Sequence, residues 1–111
     1  MEIKVYSISE FYNDGDWGGL EHICYGLFAT KELAIKHLPK VVKYSLMKRG
    51  YYEELAERVS KDAREEKFNV GFGSPYEEEI TFYDYNFKVV ESVVKILEEF
   101  DEDLDIRRIV K

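Results

Sequence analysis

Residues 21–38, EHICYGLFATKELAIKHL, are the stretch that decides the predicted fold. Aromatic and β-branched residues over 22–28 predict a strand. Thr30 suits the N-cap of a following helix, and Glu32 would lie in its first turn, where a carboxylate interacts favourably with the helix dipole. Residues 2–9 largely alternate between two sets of side chains, which predicts the partner of that strand. The stretch therefore predicts a β-hairpin that leads directly into a helix.

The two strands are joined by residues 10–19, which are rich in Asn, Asp and Gly and predict a long hairpin loop. Trp17, flanked by acidic residues and glycines, is a side chain of the kind that anchors protein interfaces, although it could equally fold back over the sheet edge. Asp14, Asp16 and Glu21 offer oxygen ligands, but their spacing does not match an EF-hand loop. We therefore predict no metal or cofactor here and assign to a candidate protein interface Asp14, Asp16, Trp17 and Glu21.

Two helices are predicted after the hairpin. Apolar side chains recur near the 3.6-residue period over residues 33–46. Pro39 interrupts this pattern, so the helix either kinks there or ends at Leu38 and restarts. A second helical pattern covers residues 51–68, and two glycines and a proline within residues 69–76 end it.

The C-terminal third is predicted to contain a strand, a helix and a last strand. Residues 79–87 are aromatic and β-branched and predict a strand. Residues 89–100 carry a helical apolar face, although a strand that continues to about Val94 fits the same residues. Residues 104–110 fit either a last strand or a short helix, and we predict the strand. The order β-β-α-α-β-α-(β) predicts one α+β domain over residues 1–111, with a mostly antiparallel sheet of three or four strands and helices on one face.

Charge and composition limit the classes of partner. The chain has 111 residues, 45% of them hydrophobic, and a formal net charge of −7. Such a charge repels phosphate backbones, so we do not expect nucleic-acid binding. One cluster of basic residues on a predicted helix keeps that alternative open: Lys36, Lys40, Lys43, Lys48 and Arg49.

Cysteine usage and hydropathy favour a cytoplasmic protein. Cys24, the lone cysteine, lies in an apolar run, where we expect a buried reduced thiol. One cysteine cannot form an internal disulfide, which favours a reducing compartment. No secretory signal is visible at the N-terminus, and no apolar run reaches the roughly 18–20 residues that span a bilayer.

Three patterns were considered for chemistry, and none predicts a catalytic residue. His22 and Cys24 are two residues apart and would share one side of a strand, but no third group indicates a nucleophilic pair, so we interpret them as a core pair or as a chance spacing. Residues 71–74, Gly-Phe-Gly-Ser, lack the ending of a phosphate-binding loop. Residues 82–87 resemble an aromatic stacking platform, but their acidic neighbours oppose a phosphate backbone.

The acidic C-terminal region is the second candidate interface. Charge reversal there would weaken a basic protein partner if the region binds one. Carboxylates spaced along a surface could also mimic nucleic-acid charge and so inhibit a nucleic-acid-binding enzyme. The interface residues predicted in this region are Glu98, Glu99, Glu102 and Asp103.

The segment Gly26-Leu-Phe-Ala-Thr-Lys-Glu-Leu-Ala34 resembles a pattern found in small uncharacterised α+β domains of bacteria and phages. In those domains a hairpin ends in a Gly-x-Phe-x-Ser/Thr-x-Glu-x-Ala helix start, and residues 80–85 resemble their later Phe-Tyr-rich strand. Residues 40–75 depart from the pattern by an extra helix. The resemblance covers about half of the chain and implies an α+β fold but no activity.

These observations predict a small acidic cytosolic binding or regulatory protein that acts through protein–protein contacts, of phage or mobile-element origin. One alternative is a small ligand- or metal-binding protein or enzyme that uses residues 13–22. Further alternatives are the acidic inhibitor that mimics nucleic-acid charge and a homodimer built by pairing of sheet edges. We expect no cofactor, and we favour a binding role over an enzymatic one.

Overall fold

The computed structural model describes residues 2–13, 20–71, 74–76, 78–80 and 84–95. Their elements, in chain order, are β1 (Glu2–Asn13), β2 (Leu20–Phe28), α1 (Lys31–Lys48), α2 (Glu53–Ser60), β3 (Lys67–Val70) and β4 (Asp84–Lys95). The predicted α+β class is confirmed. The predicted strand at 104–110 lies outside the described residues.

The strands form one antiparallel sheet in the order β2-β1-β4-β3. β1 is central, and Ile8 lies opposite Tyr25 of β2 and Val89 of β4. The β1–β2 register shifts between Ser7 and Ile8. Gly26 lies at this bulge with φ of +66°, a conformation that glycine adopts without a Cβ penalty.

α1 contacts β1, β2 and β4, and α2 contacts α1. The side chain of Thr30 accepts a hydrogen bond from the Leu33 backbone N–H at 3.1 Å, which confirms the predicted cap. Pro39 lies inside α1, so the alternative in which the helix ends at Leu38 is wrong. The buried side of α1 follows the helical period and consists of Ala34, Leu38, Val42, Ser45 and Leu46.

The core lies between the helices and one side of the sheet, which we call the helix face. Leu38 and Val42 of α1 belong to one buried cluster with Ile8 of β1 and Phe87 of β4. The opposite side, which we call the outer face, carries the alternate residues of each strand because side chains alternate along a strand. Neither helix lies on the outer face.

Two predicted helical segments are corrected by the structure. The helix predicted to reach residue 68 ends at Ser60, and β3 follows at Lys67–Val70. The helix predicted over 89–100 is wrong for its first part, and the alternative of a strand that continues to about Val94 is confirmed, because β4 runs to Lys95. Pairing with β1 along the whole of β4 outweighs the helical spacing there, since β-branched valines suit a strand.

The start of the last described strand also differs from the prediction. Residues 78–80 form turns, and Ile80 is buried in the core cluster. β4 begins at Asp84 rather than at residue 79. β1, in turn, extends to Asn13, so residues 10–13 belong to a strand and not to the predicted loop.

Candidate functional site

A buried ion pair on the helix face joins β1 to the end of α1. Glu10 is fully buried, and its Oε2 lies 2.5 Å from Nη2 of Arg49, the C-cap residue of α1. The Tyr25 hydroxyl donates to Oε1 of Glu10 at 2.9 Å, and the Ser45 hydroxyl donates to the same oxygen at 2.5 Å. These partners offset the free-energy cost of burying the carboxylate, which is several kcal/mol for an unpaired charge.

Aromatic rings surround the guanidinium of Arg49. Its Cζ lies 4.8 Å from the ring centroid of Tyr12 and 4.7 Å from that of Tyr85. The Tyr51 ring meets Tyr85 edge-on at 6.5 Å. Arginine is weakly hydrated and stacks well on aromatic faces, so this position suits it better than it would suit lysine.

Two tyrosines of this cluster have raised pKa values. Burial is the main cause for both: it raises the pKa of Tyr25 with help from the nearby charge of Glu10, and that of Tyr85 with help from its hydrogen bond with Tyr51. Both phenols therefore stay protonated at neutral pH, where Tyr25 can donate to Glu10.

The Glu10 cluster contains a hydroxyl, a carboxylate and a guanidinium, but its geometry suits packing rather than catalysis. Ser45 and Glu10 have 0% exposure, so a substrate could not reach either group without opening the core. The cluster instead fixes α1 against β1 and β2. We therefore assign it a structural role.

On the outer face, His22 and Phe11 stack with their ring centroids 4.7 Å apart and nearly parallel. Cys24 lies opposite Ser9 on the same face and is exposed. The prediction of a buried Cys24 is wrong, because Tyr25 points to the core and its neighbours in β2 therefore point away from it. His22 and Cys24 do share one side of β2, but they are not core residues.

At one end of the sheet, residues 2–5 of β1 and 92–95 of β4 form a two-stranded ribbon. β2 pairs with β1 only from Tyr6 onward, and β3 pairs with β4 only as far as Lys88. Within the described part of the chain, the ribbon therefore has no strand on either side. Its exposed apolar side chains are Ile3, Val93 and Val94, with relative exposures of 38%, 59% and 42%.

The sequence does not predict the ribbon, because the apolar residues within 89–94 also fit one face of a helix. The signal that could have found it is the content of β-branched residues in both strands, together with apolar residues on both faces. Strand edges and apolar side chains at the surface are typical of protein-binding sites.

Of the predicted interface residues, one lies within the described residues. Glu21 lies on β2, where its backbone is paired with Tyr12. The other predicted interface residues lie outside the described residues: Asp14, Asp16, Trp17, Glu98, Glu99, Glu102 and Asp103.

No group of three or more His, Cys, Asp or Glu side chains in the described ranges is placed to hold a metal ion. None of the helices described is long and apolar enough to cross a membrane.

Comparison of the chain with protein-family models, with curated proteins and with solved structures gave no match. The resemblance of residues 26–34 to a helix start in bacterial and phage domains stays a prediction.

Proposed function

We propose that this protein is a small cytosolic binding or regulatory module that acts by protein–protein contact, and that it binds an extended segment of its partner along the ribbon. The observation that carries the proposal is the exposure of apolar side chains on strands whose outer edges are unpaired in the described residues. Addition of a strand to such an edge is a general mode of peptide recognition.

In the described residues, the outer edge of β4 carries backbone groups that no neighbouring strand pairs with beyond Lys88. The Val89 N–H donates to the Glu66 carbonyl at 2.8 Å, so Val89 directs its backbone groups away from β1. Because this direction alternates along a strand, Glu91 and Val93 direct theirs the same way. A partner strand would pair with these groups and cover the exposed side chain of Val93.

The charge and the thiol of the chain support the rest of the proposal. A net charge of −7 favours a basic partner segment over an acidic one. An exposed free thiol at Cys24 suits a reducing compartment, where it would not be oxidised. We keep phage or mobile-element origin as part of the proposal, on the resemblance of the helix start alone.

The experiment that tests the proposal places a photo-crosslinking amino acid at position 93 in the native host. Mass spectrometry then identifies the partner and the peptide attached. We expect one protein to be crosslinked through an extended segment. Crosslinks only from residues far from the ribbon would contradict the proposed surface.

The affinity of the crosslinked partner is then measured with two arginine variants. Val93→Arg changes the ribbon, and Tyr52→Arg is the matched control, since Tyr52 is 84% exposed at the N-cap of α2, away from the ribbon. We expect at least a tenfold weaker affinity with Val93→Arg, about 1.4 kcal/mol, and no change with the control.

A second copy of the chain is the second candidate for the partner. Antiparallel pairing of two β4 edges centred on Val93 would bring the exposed Val93 side chains of both copies together. Light scattering over a dilution series separates the two candidates. A stable dimer that Val93→Arg dissociates would favour self-association.

A further inference from the structure

A cleft of about 440 Å³ opens on the outer face over β1, β4 and β3. Phe11 lines it from β1, Lys67 and Asn69 from β3, and Asn86 and Lys88 from β4. The register explains the set, because Asn86 is opposite both Phe11 and Asn69, and Lys88 is opposite Lys67. The volume falls within the range of roughly 300–1,000 Å³ that is usual for small-molecule sites.

The two lysines of the cleft form a like-charge pair. Both are exposed, and neither forms an ion pair in the part of the chain that the structure describes. Glu66, next to Lys67 in sequence, is instead paired with Lys31. Like charges directly opposite on neighbouring strands are destabilising. A positive pair that forms no ion pair in the described residues is well suited to bind an anion.

The two carboxamides of the cleft hold each other in a fixed orientation. Asn69 Nδ2 donates to Asn86 Oδ1 at 2.6 Å and to Asp84 Oδ1 at 2.9 Å. Asn86 Nδ2 donates to Asp84 Oδ2 at 3.3 Å. The carboxamides therefore keep one donor, the second N–H of Asn86, and two oxygens that can still accept, the Asn69 Oδ1 and the second lone pair of Asn86 Oδ1. The carboxylate of Asp84 is the acidic group beside them, and both of its oxygens accept these amide hydrogens.

Phe11 supplies an aromatic surface to the cleft. His22 is stacked on one side of its ring, and the Lys88 ammonium lies over the ring, 6.0 Å from its centroid. A planar ring of a ligand would contact Phe11 by entering between its ring and the exposed side chain of Lys88, close to the two carboxamides. Stacking of a base on an aromatic side chain stabilises such complexes.

We propose that this cleft binds an adenine mononucleotide, with the base against Phe11, its amino group and ring nitrogen on Asn69 and Asn86, and the phosphate between Lys67 and Lys88. The donor and one of the acceptors match the edge of adenine, which presents an amino donor beside a nitrogen acceptor, whereas guanine presents two acceptors there. Two cations suit one phosphate group. A polynucleotide would have to align many phosphates along a chain with net charge −7.

Calorimetric titration of the full chain with AMP tests the proposal. We expect AMP to bind, and both adenosine and inorganic phosphate to bind at least tenfold more weakly, because each lacks half of the contacts. The double variant Lys67→Gln/Lys88→Gln should weaken AMP binding about tenfold, since it removes the charge-assisted hydrogen bonds and keeps the side-chain length. Lys36→Gln is the matched control, an exposed lysine on α1, and should leave AMP binding unchanged.

Any of the following results would overturn the proposal. The first is the absence of AMP binding at millimolar concentration, or equal binding by the double variant. The second is phosphate binding as tight as AMP binding, which would leave only an anion subsite. The third is tighter binding of a single-stranded oligonucleotide, lost in the double variant, which would assign the face to nucleic acid. The cleft and the exposed apolar residues of the ribbon are separate, so failure here leaves the proposed protein-binding function untouched.

Discussion

Charged groups are buried and paired on the helix face of the sheet, whereas they are exposed on its outer face. On the helix face, Glu10 is buried and contacts Arg49, Ser45 and Tyr25. On the outer face, Lys67 and Lys88 lie side by side and exposed, and neither forms an ion pair in the described residues. A buried charge must be paired for the fold to be stable, whereas an exposed charge can stay available to a ligand. The difference indicates which face maintains the structure and which face can bind.

Removal of Arg49 should have the largest effect on stability. Arg49→Met leaves the carboxylate of Glu10 buried without its cation, which should lower the free energy of unfolding by about 3–5 kcal/mol. Urea unfolding followed by circular dichroism measures this loss. Glu10→Gln combined with Arg49→Met should recover part of it, because the unpaired charge is removed. A loss below about 1 kcal/mol for Arg49→Met would show that the pair is not essential to the helix face.

The same substitution in two leucines compares the core with the surface. Leu38 is fully buried, whereas Leu27 is 65% exposed on β2. Leu38→Ala should lower the free energy of unfolding by about 2–5 kcal/mol, because it removes apolar contacts and leaves a cavity. Leu27→Ala should change it by less than about 0.5 kcal/mol. Equal losses in urea unfolding would contradict the assignment of the core to the helix face alone.

Alkaline pH should lower the free energy of unfolding through two tyrosines on the helix face. The pKa values of Tyr25 and Tyr85 are raised above the ordinary value of 10.0 in the folded chain, mainly by burial. The two tyrosines therefore make their full contribution to the free energy of unfolding below pH 10. That contribution decreases above pH 10, because their phenols lose their protons at lower pH in the unfolded chain than in the folded one. The urea midpoint should therefore stay level up to about pH 10 and fall as the pH rises above it. Tyr85→Phe should reduce the slope of that fall, and an unchanged slope would contradict the role of Tyr85.

The features that local sequence determines, including the hairpin of neighbouring strands, were predicted, whereas several that depend on pairing between distant segments were not. The cap at Thr30 needs only the backbone N–H three residues later, so it can be predicted from the sequence. β3 has four residues and is stabilised by pairing with β4, which no local pattern shows. The exposure of Cys24 depends on the register of β2, where a shift of one residue exchanges the two faces.

The Glu10 cluster and the cleft each bring together residues that are distant in the sequence. Glu10 and Arg49 belong to different elements, and residue 10 was predicted to lie in a loop. The cleft combines Phe11 with Lys67 and Lys88, which become neighbours only through the strand order β2-β1-β4-β3. Each residue taken alone is an ordinary polar or aromatic residue in the sequence. Only the sheet topology gives such residues a common function.

The smallest expected effect distinguishes a binding face from a merely solvated one. Lys67→Gln removes one charge of the like-charge pair with Lys88, so it should stabilise the chain and raise Tm by about 1–2 °C. Lys4→Gln is the matched control, because it removes the exposed ion pair with Glu91, whose atoms are 3.3 Å apart. It should lower Tm slightly or leave it unchanged. Differential scanning fluorimetry at low ionic strength measures both shifts. If Lys67→Gln lowered Tm instead, the lysine would have a favourable structural role, and the argument that its charge is kept for a ligand would lose its basis.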